Sequence, residues 1–319
     1  MHSQPESFLV NLLHLECAFE PATRLAAGRT STISKGLSMN DFSPIKTGAP
    51  EAQTSPSGAK LELLWSQEFN EDAGAGVDGK FWSFDIGDGS EVGIPGWGNQ
   101  EREWYLPEQA ATDGAGSLVI TATKLPADNS YMAYYGAPAE WASAKLHTAG
   151  KVSVLHGRIE ARVRVPKGAG TWPAFWMLGT DLVEATWPTC GEIDILEVRG
   201  RDPHTLVGTI HGPGYSGEHG SGTEISVEAD MSDGFHTFAV EWLPGSISWY
   251  IDDRHYQTKT PADVAPNQWV FEHDHYIIMN LAMGGGFTGD IDPALTHAEM
   301  AIDHVRVYSL DGVGTVRLS

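Results

Sequence analysis

The chain has 319 residues, and its 42 aspartates and glutamates outnumber its 20 lysines and arginines, which gives a formal net charge of −22 at pH 7. Such an acidic protein repels a phosphate backbone, so we exclude a nucleic-acid partner. The 36 glycines, 18 prolines and 11 tryptophans are typical of many short strands joined by tight turns. Because flat aromatic rings also stack on sugar rings, the tryptophans favour a carbohydrate ligand over nucleic-acid bases.

The first 60 residues differ from the rest of the chain. Small and polar residues dominate residues 30–60 without periodicity, which predicts a flexible leader over residues 1–60. The apolar stretch from Phe8 to Phe19 is too short to span a bilayer and follows no basic residues, so we predict neither a membrane protein nor a clear signal peptide. We nevertheless expect a secreted or periplasmic protein. Cys17 and Cys190 lie in unrelated contexts and predict neither a disulfide nor a thiolate metal site.

The sequence pattern predicts one all-β domain over residues 61–312, followed by a C-terminal tail at residues 313–319. Predicted strands cover residues 118–123, 158–165, 171–178, 206–211, 276–283 and 301–308. In residues 158–165, charged and apolar side chains alternate, as in a strand with one buried face. Residues 238–242 and 247–251 flank a turn and predict a hairpin. So many short strands favour a two-sheet sandwich of the jelly-roll type.

The most informative segment contains three carboxylates. Glu192 and Asp194 share one face of a predicted strand, while Ile193 points to the other face. Regular alternation would place Glu197 on the buried face, at the cost of a buried acid. A β-bulge at residues 195–196 removes this cost and brings all three acids to one face. Because like charges side by side repel each other, this arrangement indicates a function rather than an ordinary acidic strand edge, which is the alternative.

Glycoside hydrolysis is the chemistry that fits these acids. One carboxylate attacks the anomeric carbon while a second, kept protonated, donates its proton to the leaving oxygen. Retaining enzymes need these groups about 5 to 5.5 Å apart, whereas four regular strand steps separate Glu192 and Glu197 by roughly 13 Å. We therefore expect both side chains to lean inward over Asp194.

Residues 192–197 resemble the active-site signature of glycoside hydrolase family 16, in the bulged form of laminarinase-like endo-β-1,3-glucanases. The likeness extends over about residues 61–310, with matching segments at residues 97–101, 157–162, 172–178, 208–212 and 302–308. The resemblance implies that Glu192 is the nucleophile, Glu197 the acid/base and Asp194 the residue that orients the nucleophile. It also implies a concanavalin-like jelly roll of two curved antiparallel sheets with an open concave cleft. Gln100 and the loop at residues 284–289 depart from the usual pattern of the family. These departures affect the expected glucan preference and not the expected catalytic mechanism.

Aromatic and polar residues around this segment are candidates for sugar binding. Trp172 and Trp176 lie four apart on one strand face and are candidates for a cleft wall, with core packing as the alternative. The other candidates lie in a glycine-bounded loop and at a strand end, where plain packing is again the alternative: Trp97, Asn99, Glu101 and His211.

Asp303 shares strand parity with Val305 and Val307, so we expect it to point inward and to need a partner. The family resemblance implies a structural Ca²⁺ held by Asp303 and by backbone oxygens near Glu68 and Gly116. We expect no cofactor for catalysis. Residues 273–275, His-Asp-His, resemble a metal pair only loosely and are predicted to form an exposed loop.

The predicted function is a monomeric, retaining endo-glycoside hydrolase acting on β-1,3 or mixed β-1,3/1,4 glucan. Burial and acidic neighbours should raise the pKa of Glu197, so that activity falls on both sides of an optimum. The alternatives are another polysaccharide, such as agarose or carrageenan, and a non-catalytic glucan-binding protein. The bulged motif disfavours xyloglucan, and the presence of all three acids disfavours the binding protein.

Overall fold

The computed structural model describes residues 53–319. Most of the predicted leader, the stretch from Phe8 to Phe19 and Cys17 lie outside these residues. Residues 53–60 form a turn closed by a bridge between Thr54 and Lys60. The strands are β1 (Leu61–Gln67), β2 (Ser83–Asp85), β3 (Glu103–Tyr105), β4 (Ala110–Thr112), β5 (Leu118–Lys124), β6 (Trp141–Ser143), β7 (Lys145–His147), β8 (Val152–Leu155), β9 (Gly157–Arg164), β10 (Thr171–Gly179), β11 (Glu192–Val198), β12 (Thr205–His211), β13 (Ser221–Ser226), β14 (His236–Leu243), β15 (Ser246–Ile251), β16 (Arg254–Lys259), β17 (His275–Met283), β18 (His297–Leu310) and β19 (Thr315–Leu318).

These strands form two sheets, which confirms the predicted β-sandwich of the jelly-roll type. The ten-stranded sheet has the order β16-β15-β14-β9-β18-β5-β6-β3, with β1 paired to β18 and β4 to β5. The nine-stranded sheet has the order β13-β12-β11-β10-β17-β7-β2, with β8 paired to β17 and β19. Every pairing is antiparallel except the short one between β3 and β6, which is parallel. Three helices of four residues each connect strands: α1 (Leu182–Ala185), α2 (Pro261–Val264) and α3 (Gly285–Thr288). None of the described helices is long and apolar enough to cross a membrane.

The predicted strands all appear at the expected positions, because alternation specifies a strand whose one face is buried. In β9, Ile159, Ala161 and Val163 are fully buried between the sheets. The predicted hairpin is formed by β14 and β15, whose pairing ends at Leu243 opposite Ser246.

The tail predicted at residues 313–319 is largely a strand. Thr315–Leu318 pair with β8, so the end of the chain extends the nine-stranded sheet. This strand is short and its side chains are mostly exposed, which is why its sequence carries no apolar run.

The tryptophans divide into packing residues and residues with exposed surface. Five of the eleven have 7% or less of their surface exposed and pack in the core: Trp65, Trp82, Trp141, Trp242 and Trp249. The remaining six keep part of their surface accessible: Trp97, Trp104, Trp172, Trp176, Trp187 and Trp269. The second group includes Trp172 and Trp187, which donate hydrogen bonds to two of the three carboxylates on β11.

Candidate active site

Strand β11 contains the bulge that the sequence predicts. On one side Trp176 pairs with Asp194 while Phe175 pairs with Leu196, which leaves Ile195 without a partner of its own. On the other side the register also shifts between Asp194 and Glu197. Ile193, Ile195 and Leu196 are buried in the core. The bulge therefore restores Glu197 to the face that carries Glu192 and Asp194, which we call the carboxylate face.

Asp194 is the most deeply buried of the three acids, with 3% of its surface exposed. Its carbonyl oxygen accepts a hydrogen bond from Trp249 Nε1 at 2.8 Å, which ties the catalytic strand to the opposite sheet. His211 Nε2 lies 3.1 Å from Asp194 Oδ2. Burial, followed by the charge of Glu192 and a hydrogen bond with it, raises the pKa of Asp194 well above its ordinary value. The neutral form of Asp194 is therefore favoured next to Glu192.

Glu197 is partly buried and has one well-defined donor. Trp172 Nε1 donates a hydrogen bond to Glu197 Oε1 at 3.1 Å. Burial and the charges of Asp194 and Glu192 raise the pKa of Glu197 well above its ordinary value, although the hydrogen bond from Trp172 and the neighbouring His211 oppose this shift. A carboxyl group in this state can donate a proton near neutral pH.

Glu192 contacts a residue that we did not predict. Trp187, in the loop after α1, donates its indole N–H to Glu192 Oε2, and 45% of the Trp187 surface is exposed. Its ring lies 6.3 Å from that of His211, which pairs with Glu192 across the sheet. The sequence contained a signal, since a tryptophan next to a proline five residues before the first acid does not fit a strand or a helix.

A chain of hydrogen bonds joins Trp176 to the predicted binding loop. Trp176 Nε1 donates to Asn280 Oδ1 at 2.8 Å, and Asn280 Nδ2 donates to the Tyr105 hydroxyl at 3.1 Å. The Tyr105 hydroxyl donates to Glu101 Oε2 at 3.0 Å, and Asn99 Nδ2 donates to Glu101 Oε1, also at 3.0 Å. Asn99 and Glu101 thus lie on the side of the carboxylate face that Trp176 borders.

Trp97 borders the same region. Its ring lies 5.7 Å from that of Tyr105, and its Nε1 donates to the Gly87 carbonyl at 3.2 Å. Lys145 Nζ lies 4.3 Å from the centre of the Trp97 ring and 5.2 Å from that of Trp176. A cation between two aromatic faces holds both rings in place. No sequence pattern indicates this contact, because the three residues are brought together by different strands and a loop.

The loop at residues 284–289 borders the same region next to Trp172. The ring centre of Phe287 lies 4.8 Å from that of Trp172 and 4.2 Å from Arg199 Cζ, which lies over the ring. The Gly286 N–H donates to the Asn99 carbonyl at 2.8 Å, which joins this loop to the loop of Trp97. A side chain at residue 285 would collide with that carbonyl, since the Cβ position lies 2.8 Å from it.

Two expectations about other residues were wrong. Asp303 does not point inward, because a register shift between Ile302 and His304 places a bulge there. Its side chain is 35% exposed and forms an ion pair with Arg162 at 3.1 Å. The second is His275, which is fully buried at the start of β17 rather than in an exposed loop.

The side chains predicted near a calcium ion have other partners. The Glu68 carboxylate accepts two hydrogen bonds from Arg306, at 2.9 and 2.7 Å. Within residues 53–319, the one group of three acidic or histidine side chains close enough to share an ion is Glu192, Asp194 and His211, away from Asp303. The calcium site predicted from Asp303 and backbone oxygens near Glu68 and Gly116 stays a prediction.

A jelly roll with three acids on a bulged strand, bordered by tryptophans that keep exposed faces, defines a glycoside hydrolase. Comparison with known proteins agrees with this conclusion. A family model described as "Glycosyl hydrolases family 16" matches residues 99–306. The chain belongs to this family.

Three relatives show how far the similarity extends. A β-glucanase of Rhodothermus marinus is 38% identical over 260 residues, which cover 77% of this chain and 85% of that protein. The structure of an endo-β-1,3-glucanase from Pyrococcus furiosus superimposes with a TM-score of 0.76 and 39% identity, covering 82% of this chain and 99% of that one. The laminarinase catalytic domain from Thermotoga maritima MSB8 gives a TM-score of 0.73 and 41% identity, covering 78% of this chain and 98% of that one.

Proposed function

We propose that this enzyme is a retaining endo-hydrolase of β-1,3 or mixed β-1,3/1,4 glucan. The observation that carries the mechanism is the bulged strand β11, which presents Glu192, Asp194 and Glu197 on one face. The named relatives act on β-glucans, and the aromatic wall of the carboxylate face suits the flat faces of glucosyl rings.

Catalysis proceeds in two displacements. In the first, the Glu192 carboxylate attacks the anomeric carbon, the glycosidic C–O bond breaks, and Glu197 gives its proton to the leaving oxygen. In the second, the Glu197 carboxylate takes a proton from water, the water oxygen attacks the anomeric carbon, and Glu192 leaves. The raised pKa of Glu197 keeps the proton on this residue until the first step needs it.

Asp194 orients the nucleophile rather than attacking. Its burial prevents contact with a sugar, whereas its neutral carboxyl, favoured by that burial, donates a hydrogen bond that orients the Glu192 carboxylate. Trp187 holds a Glu192 oxygen from the solvent side. Both contacts leave the nucleophile with a single preferred orientation, which lowers the entropic cost of reaching the reactive geometry.

Sugar recognition is divided between two regions of the carboxylate face. Trp172 and Phe287 form an aromatic pair beside Glu197. Trp97, Asn99, Glu101 and Trp176 form an adjoining region, in which ring faces stack and Asn99 and Glu101 bond to hydroxyl groups. His211 and Trp187 border the carboxylates on the side of Glu192.

The test is a comparison of laminarin, lichenan, agarose and carrageenan, with oligosaccharide products and their first anomeric form identified by NMR. Release of β-anomers from laminarin or lichenan supports the proposal, and α-anomers as first products contradict it. Preferred cleavage of agarose or carrageenan would instead favour the alternative of a galactan hydrolase.

The roles of the two glutamates are tested with Glu192→Ala and Glu197→Ala. Each variant should lose about a thousandfold or more in kcat, whereas Glu228→Ala, which removes an exposed acid beyond the site, should leave kcat unchanged. Azide should trap an α-glycosyl azide with Glu192→Ala and a β-glycosyl azide with Glu197→Ala on an activated substrate. Near-wild-type turnover by both variants, with binding retained, would support a non-catalytic glucan-binding protein.

Three further properties belong to the same proposal. The enzyme is secreted or periplasmic, which fractionation of expressing cells tests. It is a monomer, which light scattering tests. It binds one structural Ca²⁺ near Gly116 and Asp303, which a rise in Tm on adding Ca²⁺ to chelator-treated protein tests.

A further inference from the structure

A second pair of acids is buried next to the carboxylate face, and one of them, Glu103, has no part in the function proposed above. Glu101 is 5% exposed and Glu103 is 1% exposed. Both Glu101 oxygens accept hydrogen bonds, from Asn99 and from Tyr105. Glu103 Oε2 accepts the backbone N–H of Met283 at 2.7 Å, whereas Glu103 Oε1 is buried and has no donor among residues 53–319.

No cation balances this pair. Neither Glu101 nor Glu103 forms an ion pair with any residue that the structure describes, and Arg102 between them pairs with Glu140 instead. Two neighbouring carboxylates in a buried environment cannot both be ionised without a cation, so the pair must keep one proton. The oxygen that lacks a donor, Glu103 Oε1, is the atom that can carry it and donate it.

We propose that Glu103 is a positioning residue that stays neutral and shares its proton with Glu101. The shared proton fixes the Glu101 carboxylate between Asn99 and Tyr105, and Tyr105 in turn fixes Asn280 and Trp176. The role in sugar binding rests on the proposed function. The shared proton does not, since it concerns the folded protein alone.

The electrostatic surroundings agree with this assignment. Burial, then the charge of Glu101 and a hydrogen bond with it, raises the pKa of Glu103 well above its ordinary value of 4.5. The other charged or titratable groups near the pair are the hydroxyls of Tyr105 and Tyr134, Asp88, and Lys145 with its partner Asp85. Burial raises the pKa of both tyrosines, so neither hydroxyl ionises in the range in which the enzyme would be assayed.

The proton is tested by unfolding experiments without substrate. Above the ordinary pKa of 4.5 the unfolded chain loses the proton that the folded protein keeps, so the wild type loses stability as pH rises towards the raised pKa. The unfolding constant of the wild type, divided by that of Glu103→Gln, should therefore increase by up to about tenfold per pH unit from about pH 5 upward. The control Glu91→Gln removes an exposed carboxyl from a neighbouring loop and should give no such slope. A ratio for Glu103→Gln that is independent of pH would overturn the shared proton.

Positioning is tested by kinetics at one pH near 6. Glu103→Ala removes the donor to Glu101 and should raise the KM for laminarin by about three- to tenfold with kcat nearly unchanged. Glu103→Gln supplies an amide N–H to Glu101 and an amide oxygen to Met283, so it should restore the wild-type KM. Equal KM values for the alanine and glutamine variants would overturn the positioning role. If no variant and no wild type cleaves a glucan, the proposed function fails, and the unfolding experiment still decides whether Glu103 holds a proton.

Discussion

The hydrogen bond from Trp172 to Glu197 allows the acid/base to be tuned in a predictable direction. This bond stabilises the ionised form of Glu197 and so opposes the rise in its pKa caused by burial. Replacement of Trp172 by phenylalanine removes the N–H while it keeps an aromatic ring next to Phe287. We therefore expect Trp172→Phe to raise the pKa of Glu197 further and to extend the protonated state to higher pH.

The size of the shift follows from the geometry. A hydrogen bond to a charged group contributes about 1.5–3 kcal/mol, and part of it persists when the carboxyl is neutral. At 3.1 Å the bond is at the longer end of the usual range, so the ionised form loses about 1 kcal/mol relative to the neutral form. Since one pKa unit corresponds to about 1.4 kcal/mol, the expected shift is about 0.7 units upward.

The assay is the pH dependence of kcat/KM on laminarin, whose alkaline limb reports the acid in the free enzyme. Trp176→Phe is the matched control, because its indole N–H on the same strand donates to Asn280 and to no carboxylate. It should leave the alkaline limb in place. If the alkaline limb of Trp172→Phe stayed in place, the role of this hydrogen bond would be refuted. A shift of that limb to lower pH would also count against it, because it would show that the smaller ring admits water and that the lost burial of Glu197 outweighs the lost hydrogen bond.

Three further predictions concern stability and reactivity. Trp249→Phe leaves the buried Asp194 carbonyl without its donor, so the free energy of unfolding should fall by about 2 to 3 kcal/mol in denaturant titrations. Burial raises the pKa of Cys190 to about 12, so on a Cys17→Ser background this thiol should react with Ellman's reagent at about pH 8 only after unfolding. Burial lowers the pKa of His275 to about 3. Between about pH 6.5 and 3 the unfolded chain therefore binds a proton on this histidine that the folded protein does not bind, so acid destabilises the fold in this range. The wild type should lose about 1.6 kcal/mol from pH 6.5 to 5 relative to His275→Gln, and parallel profiles would contradict this.

Strand alternation explains both a success and a failure of the sequence reasoning. Regular alternation would have buried Glu197, and a bulge was the less costly solution, which the structure confirms at Ile195. The same reasoning applies to Asp303, where the structure again has a bulge in place of a buried acid. An acid on the buried parity of an otherwise apolar strand therefore indicates a bulge in both cases, because an extra residue costs less than an unpaired buried charge.

The residues that border the carboxylate face near Trp176 could be predicted only in part. Trp97, Asn99 and Glu101 were recognisable from a glycine-bounded loop that carries aromatic and polar residues. Asn280, which links Trp176 to Tyr105, was not, because it lies 175 residues from Tyr105 in sequence and within a strand whose residues are all buried. Contacts of this kind depend on which strands become neighbours, and hydrophobic alternation carries no information about strand order.

The acids of this fold are balanced in two different ways. In the ten-stranded sheet, the Arg158 guanidinium lies 2.7 Å from Glu160, 3.5 Å from Glu241 and 2.9 Å from Asp253, so that one cation serves three carboxylates.

Next to the carboxylate face, among the residues that the structure describes, Asp194 has only His211 nearby, and Glu103 has no cationic partner. Protons therefore take the place of arginines there, since a buried acid without a cation stays neutral. An arginine next to Glu197 would stabilise the ionised form of this acid and so prevent it from donating a proton. Among residues 53–319, no lysine or arginine forms an ion pair with Glu192, Asp194 or Glu197, and this lack of a cationic partner is thus a requirement of the chemistry.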